Sequence, residues 1–181
     1  MRVLIDACVL YPTVMREMVL GCAGHGLFEP RWSPRILEEW ARAAGKLSPE
    51  QEVWARGEIV QVNAAFPRGS VTYPEELEKR LWLPDPGDIH VLAGAVAGSC
   101  DAILTMNAKD FPGNILGEEG LIRRDPDGFL RQLLDQSPQQ VSSVADKILG
   151  QANAMSDRPW TMRALMKKAR LPRLGKALET L

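Results

Sequence analysis

The sequence predicts an α/β fold built around a central, mainly parallel sheet. Two observations carry this. Val3-Leu4-Ile5 and Ala102-Ile103-Leu104-Thr105 are short continuous apolar runs, the pattern of strands covered on both faces. The second run is preceded by a small-residue helix, and a helix set between buried strands within so short a stretch is a βαβ arrangement, which implies parallel pairing.

Taken in order, the first strand covers residues 3–5 and is closed by Asp6. Residues 14–23 carry apolar side chains at helical spacing, and Gly24 and Gly26 end that segment. Residues 27–32 read as a second short strand. Ser33-Pro34 is a helix start, with a capping hydroxyl followed by proline at the first helical position. Ile36, Leu37, Trp40 and Ala44 make the apolar face of that helix, with Glu38, Glu39 and Arg42 around it. A further helix is expected after Ser48-Pro49, another over residues 53–66, and a strand at residues 71–73. Residues 74–80 are too short and polar to assign.

Asp85-Pro86-Gly87-Asp88 repeats the cap-then-proline signal and places Asp88 in the first turn of a helix over Ile89 to Ala97. Ala93, Gly94, Ala95, Ala97 and Gly98 let that helix lie close against a sheet. Leu121-Ile122 reads as a last strand. Asp125 caps a helix that begins at Pro126 and runs to Leu134. A polar stretch, residues 136–140, separates this core from a helical tail with Val141, Val144, Ile148 and Leu149 on one face, followed by residues 160–181.

The bulk composition excludes several classes. With 181 residues, 45% hydrophobic and 25% charged, the chain can bury one core with a small appendage. A net charge of -1 gives no global attraction for nucleic acid, so any such partner requires a local basic patch. Three scattered cysteines and two histidines, without a paired spacing, argue against a zinc site or disulfide framework and fit a reducing cytosol. No signal peptide is visible, and no run reaches the roughly 20 apolar residues of a membrane span. A soluble, cytoplasmic protein is expected.

Functional groups in open parallel sheets gather beyond the carboxyl ends of the strands. Asp6 ends the first strand, Asn107 and Asp110 follow Thr105, Asp88 opens the helix leading into that strand, and Glu39 lies on the helix after the second strand. Carboxylates brought together repel unless a cation intervenes. Oxygen donors without thiols or paired imidazoles favour Mg²⁺ or Mn²⁺. Such ions activate water and stabilise charge on a phosphoryl group, which suits phosphodiester hydrolysis. Each acid also has a plainer role. Asp85 reads as a helix cap or else a site residue, Asp88 suits the helix dipole as well as a site, and Glu38-Glu39 resembles a solvated helix face. Asp101 sits at the opposite end of its strand and reads as a turn residue. His90 either packs or supports a ligand.

Recognition adds to this. The run Asp85-Pro86-Gly87-Asp88-Ile89-His90-Val91-Leu92-Ala93-Gly94-Ala95, followed by Thr105-Met106-Asn107-Ala108-Lys109-Asp110-Phe111-Pro112, resembles the PIN-domain family. Within it the likeness is to the branch of VapC-type toxin components of toxin–antitoxin systems. Val3-Leu4-Ile5-Asp6 is similar to that branch's opening strand and first acid, and Ser33-Pro34 through Glu39-Trp40 to the segment carrying its second. The resemblance implies a three-layer α/β/α fold, a catalytic domain over residues 1–135 and a helical extension over 136–181. It implies a metal-dependent ribonuclease with Asp6, Glu39 and Asp88 as metal ligands, and Asp110 or Asn107 completing the site. Many relatives carry aspartate where Asn107 stands, which leaves the fourth ligand open. An antitoxin that covers the acidic pocket and a homodimer are further implications. A PIN-fold module that kept the fold and lost the chemistry, binding RNA or protein, is the alternative. Residues 151–181 hold seven basic residues against two acids, a local excess of five positive charges. They serve either to hold RNA phosphates or as a solvated helix face.

Overall fold

The computed structural model describes residues 1–180. In chain order the elements are β1 (Arg2–Ile5), α1 (Ala7–Leu10), α2 (Thr13–Gly24), β2 (Glu29–Arg31), α3 (Pro34–Gly45), α4 (Pro49–Ala65), α5 (Glu75–Arg80), a 3₁₀ turn (Pro86–Asp88), α6 (Ile89–Ala97), β3 (Ala102–Leu104), α7 (Gly113–Glu118), β4 (Ile122–Arg124), α8 (Pro126–Gln136), α9 (Pro138–Ala154), α10 (Met162–Lys168) and α11 (Pro172–Leu178). The chain forms two compact units. One comprises Met1–Tyr11 and Phe28–Arg124, the other Pro12–Leu27 and Asp125–Leu181, of which Leu181 lies outside the described residues.

The first unit carries the sheet. Its four strands run in the order β2-β1-β3-β4, and every pairing is parallel. The α/β class expected from the apolar runs is therefore what the chain adopts. Val3, Leu4 and Ile5 in β1 and Ala102, Ile103 and Leu104 in β3 are all fully buried, as strands flanked by two others should be. The outer strands differ. β2 contains Pro30, which an edge strand tolerates, and β4 exposes Ile122 beside Arg123, a charged margin that discourages further pairing. Helix α6 packs on β1 and β3. Its Gly94 permits this, because a Cβ there would stand 3.3 Å from the Leu4 side chain.

The capping signals act as their chemistry dictates. Ser33 Oγ accepts from Ile36 N at 3.2 Å, Ser48 Oγ from Gln51 N at 3.3 Å, and Asp125 Oδ1 from Gly128 N at 2.8 Å. Two expectations need correction. The two helices anticipated after Ser48 are one continuous α4, since nothing between Pro49 and Ala65 breaks the helix. Residues 71–73 form no strand; Ser70 makes a single bridge to Trp32, and Val71 N donates to Trp32 O at 2.8 Å. The polar 136–140 stretch falls at the junction of α8, which runs to Gln136, and α9, which starts at Pro138.

The second unit is helical. Val141, Val144 and Ile148 of α9 are buried, as their spacing requires, and α9 packs against α2, α8 and α10. Asp127 ties α11 to α8. Only 6% exposed, its carboxylate accepts from the backbone N–H groups of Arg173 at 3.0 Å and Leu174 at 2.9 Å, and from Arg173 Nε at 3.1 Å. It thereby caps a helix whose own N-terminal residue supplies no side-chain cap. Among the described residues, no helix is long and apolar enough to cross a membrane. Replacing the carboxylate by a methyl group would strand those backbone donors in a buried setting. Asp127→Ala should therefore lower stability by roughly 2 kcal/mol, read as a drop in thermal midpoint; an unchanged midpoint would refute the capping role.

Candidate functional site

The sheet order makes a topological switch between β1 and β3, because the chain leaves β1 toward β2 on one side and leaves β3 toward β4 on the other. At such a point the loops diverge and open a crevice at the carboxyl ends of the strands. Register decides what stands there. Ile5 pairs with Leu104, and Asp6 N donates to Leu104 O at 3.1 Å, so Asp6 and Thr105 emerge side by side.

Asp6 has the backbone angles of a helix cap, yet its side chain makes no capping bond to α1. It turns instead to the neighbouring strand. Thr105 Oγ1 donates to Asp6 Oδ2 at 2.7 Å, and Cys8 Sγ donates to the same oxygen at 3.1 Å. Burial, reinforced by the Asp6 charge, pushes the Cys8 thiol up to about 12, so it stays protonated and acts as a donor. Thr105 Oγ1 in turn accepts from Asn107 N at 3.0 Å, which fixes the loop leaving β3.

That loop brings the second group together. Asn107 Nδ2 donates to Asp88 Oδ2 at 3.2 Å and, in a closer contact, to Asp110 Oδ2. Carboxylate oxygens of Asp85, Asp88 and Asp110 lie within 4.8 Å of one another, the spacing of a cation site. Asp85 does two things here: its Oδ1 accepts from Gly87 N at 2.7 Å, which caps the 3₁₀ turn, and it joins the cluster. The sequence offered the cap and a site residue as alternatives; the structure gives Asp85 both.

Asp88 reports the electrostatics. Its carboxyl is raised to about 6, first by burial and then by the negative charges of Asp6, Asp85 and Asp110, with His90 opposing. Asp6 thus acts on Asp88 across the crevice, although it is not one of the three closest acids.

Glu39 reaches the site region through His90. His90 is 1% exposed on α6, and its Nε2 lies 2.9 Å from Glu39 Oε1. Its Nδ1 has no hydrogen-bond partner among the described residues. The neighbouring acid is committed elsewhere. Glu38 receives Arg42 Nε at 2.9 Å and Arg56 at 2.9 and 3.1 Å, and these bonds hold its carboxyl down to about 2. Of the adjacent pair, Glu39 is the one turned toward the α6 start. Asp101 is at the other end of β3, where its Oδ2 accepts from Arg2 N at 2.7 Å, a structural role as its position implied.

The site therefore gathers Asp88, Asn107 and Asp110 directly, sets Asp6 at the adjoining strand end, and links Glu39 through a buried histidine. Thr105 and Cys8 escaped the sequence reading. The available signal was that both apolar runs end on a polar residue, which parallel register then sets side by side. The clustered groups of Asp85, Asp88 and Asp110 are all carboxylate oxygens, and the nearby Cys8 thiol keeps its proton, a set that suits a hard divalent cation rather than zinc.

Comparison with known proteins gives a consistent picture. A family model described as PIN domain matches residues 2–109. The Mycobacterium tuberculosis (strain ATCC 25618 / H37Rv) protein named "Putative ribonuclease VapC50" is 37% identical over 79 residues, covering 44% of this chain and 45% of that protein. The chain thus spans less than half the length of this curated relative. No solved structure matches.

A carboxyl raised in the folded state stabilises the fold only while it holds its proton. The folded chain gains from Asp88 below the unfolded value near 3.8 and loses that gain as pH rises through about 6. Metal-free Asp88→Asn should melt higher than the parent at pH 8, by roughly 2–4 °C for a screened effect of about 1 kcal/mol in a chain of this size, and should match it at pH 4. Equal melting at both pH values would show that the acids do not strain one another. Thr105→Val keeps the side-chain shape but removes one donor and one acceptor. It should cost roughly 1–3 kcal/mol in chemical denaturation, and no loss would mean that Asp6 is held by other means.

Proposed function

This chain belongs to the PIN-domain family, and from that premise we propose that it is a metal-dependent ribonuclease that hydrolyses RNA phosphodiester bonds. The observation that carries the reading is the convergence of Asp85, Asp88 and Asp110 at a strand-end crevice, with Asp6 close enough to raise Asp88. Repelling carboxylates kept together are an arrangement that a divalent cation relieves.

In this proposal Asp6, Glu39, Asp88 and Asp110 hold Mg²⁺ or Mn²⁺. When bound, the ion supplies an activated water and stabilises charge on the scissile phosphate. The chain's own residues set the geometry. Thr105 and Cys8 fix one oxygen of Asp6, which leaves the other for the ion. Asn107 presents its amide hydrogens to Asp88 and Asp110, so it orients these ligands, and Asp110 rather than Asn107 completes the site. His90 holds Glu39 against the start of α6.

The substrate reading draws on the name of the similar mycobacterial protein and on the motif likeness to VapC-type toxins. With it come a toxin role in the cytoplasm and an antitoxin whose arginine would pair with the acidic pocket. In the basic tail, Arg163 pairs with Glu179, Arg173 with Asp125 and Asp127, and Lys168 lies over Trp160. Arg158, Lys167, Arg170 and Lys176 are the tail cations left to meet phosphate without breaking one of these contacts.

A labelled structured RNA incubated with Mg²⁺, Mn²⁺ or EDTA tests the activity. Cleavage should require metal and should fall roughly a hundredfold or more in Asp6→Asn and in Asp88→Asn. Equal cutting by parent and variants would identify a contaminant. If nothing is cut and calorimetry detects no Mn²⁺ binding, the chain is a PIN-fold binding module without catalysis.

A further inference from the structure

We propose that Arg123, on the edge strand β4, binds the RNA phosphate next to the one being cleaved, a role that rests on the nuclease reading and adds to it the contact that holds the substrate chain. The acidic site cannot supply that contact, because clustered carboxylates repel a phosphate backbone. A positive group is needed close by, and its charge must not already be neutralised.

Register puts Arg123 there. It pairs with Ile103, and side chains alternate along a strand, so Arg123 shares a sheet face with Ile103 and, two residues on, with Thr105, the anchor of Asp6. Arg124, the next residue, is directed to the opposite face. From its own face Arg123 Nη1 donates to the carbonyl oxygens of Ala108 and Phe111, both at 2.7 Å. Those two residues bracket Lys109 and Asp110 on the loop after β3. By the dimensions of the chain, the guanidinium therefore stands within about 13 Å of the Asp110 carboxylate.

The way Arg123 is held marks it as a ligand-binding group. Arg31, Arg42, Arg56 and Arg80 of the same unit each meet a carboxylate, which offsets their charge. The partners of Arg123 are neutral carbonyls, so its charge stays whole. Nη1 spends its two hydrogens on them. The opposite edge, Nε with Nη2, has no partner among the described residues, and the side chain is exposed. That edge carries two parallel N–H groups, the fork that matches two oxygens of a phosphate. Anchored at one nitrogen, the side chain has already given up much of its rotamer freedom, so binding through the other edge costs little further ordering. Lys109, exposed on the same loop, brings a charge without a fork.

Salt dependence separates a phosphate contact from a mere clamp on the loop, because only the contact releases a counterion. The full chain carrying Asp88→Asn, which binds RNA without cutting it, is titrated in Mg²⁺ against the labelled structured RNA by fluorescence anisotropy, from about 50 to about 200 mM salt. Adding Arg123→Gln should weaken binding roughly tenfold and reduce the slope of log affinity against log salt by about 0.7–0.9. Arg123→Met replaces it if its melting curve shows an unfolded chain. Arg123→Lys keeps the charge but not the fork, so it should keep the slope while losing part of the affinity. Lys109→Gln should leave the slope close to the parental value. Weaker binding at an unchanged slope in Arg123→Gln would make the residue a loop clamp only and overturns the proposal, as does an equal loss of slope in Lys109→Gln. Where the parent cuts RNA and the slopes agree, this inference alone falls; where the parent neither cuts nor binds RNA, the nuclease reading falls with it.

Discussion

The parallel pairing of β1 with β3 is the constraint on which the site depends. Parallel register sets like ends of strands together, so a one-residue slip would move Asp6 from beside Thr105 to beside Leu104 and turn its side chain to the other face. The apolar runs resist that slip, because Val3, Leu4 and Ile5 fill the buried positions of β1 and a shift would carry Arg2 or Asp6 into one of them. The core thus enforces the position of a polar group that does nothing for the core. Asp6, 7% exposed, is tolerated only because Thr105 and Cys8 donate to it.

The same logic separates what was legible in the sequence from what was not. Buried parallel strands announce themselves as unbroken apolar runs, and cap-proline pairs mark helix starts through local chemistry alone. Ser33-Pro34, Asp85-Pro86 and Asp125-Pro126 needed no tertiary information. Asp6, Asp88 and Asp110 could be singled out because strand ends and helix starts are local features. The Glu38–Glu39 pair could not be resolved from local chemistry, since both lie on one half-buried turn. The choice rests on what faces each: Arg56 from α4 takes Glu38, and His90 from α6 takes Glu39. The hydroxyl of Thr105, the thiol of Cys8 and the second task of Asp85 are likewise decided by partners distant in sequence. Residues 71–73 fail for the opposite reason: strand-like side chains form a strand only where a neighbour offers a ladder, and Trp32 offers a single bridge.

The basic tail shows how a charge count overstates an electrostatic surface. Five excess positive charges in residues 151–181 suggest a phosphate-binding strip. Arg173 spends its guanidinium on Asp125 and Asp127, where it helps fasten α11 to α8, and Arg163 meets Glu179. These side chains are already paired within the helical unit.

Asn107 brings these strands of argument together. An aspartate in its place would add another negative group against Asp88 and Asp110, with no donor among them, and would drive Asp88 still further from its ordinary value. The amide does the reverse. Its two hydrogens lie between the carboxylates, where they offset part of the repulsion that a cation would otherwise have to neutralise. The loop after β3 is then held from both sides, by Thr105 on its backbone and by two carboxylates on its side chain. In the proposed metal-bound state an ion would find Asp88 and Asp110 already oriented and would need to displace only an uncharged group. Replacing a charge by a donor at this position therefore exchanges some attraction for the cation against a more ordered site before the cation arrives.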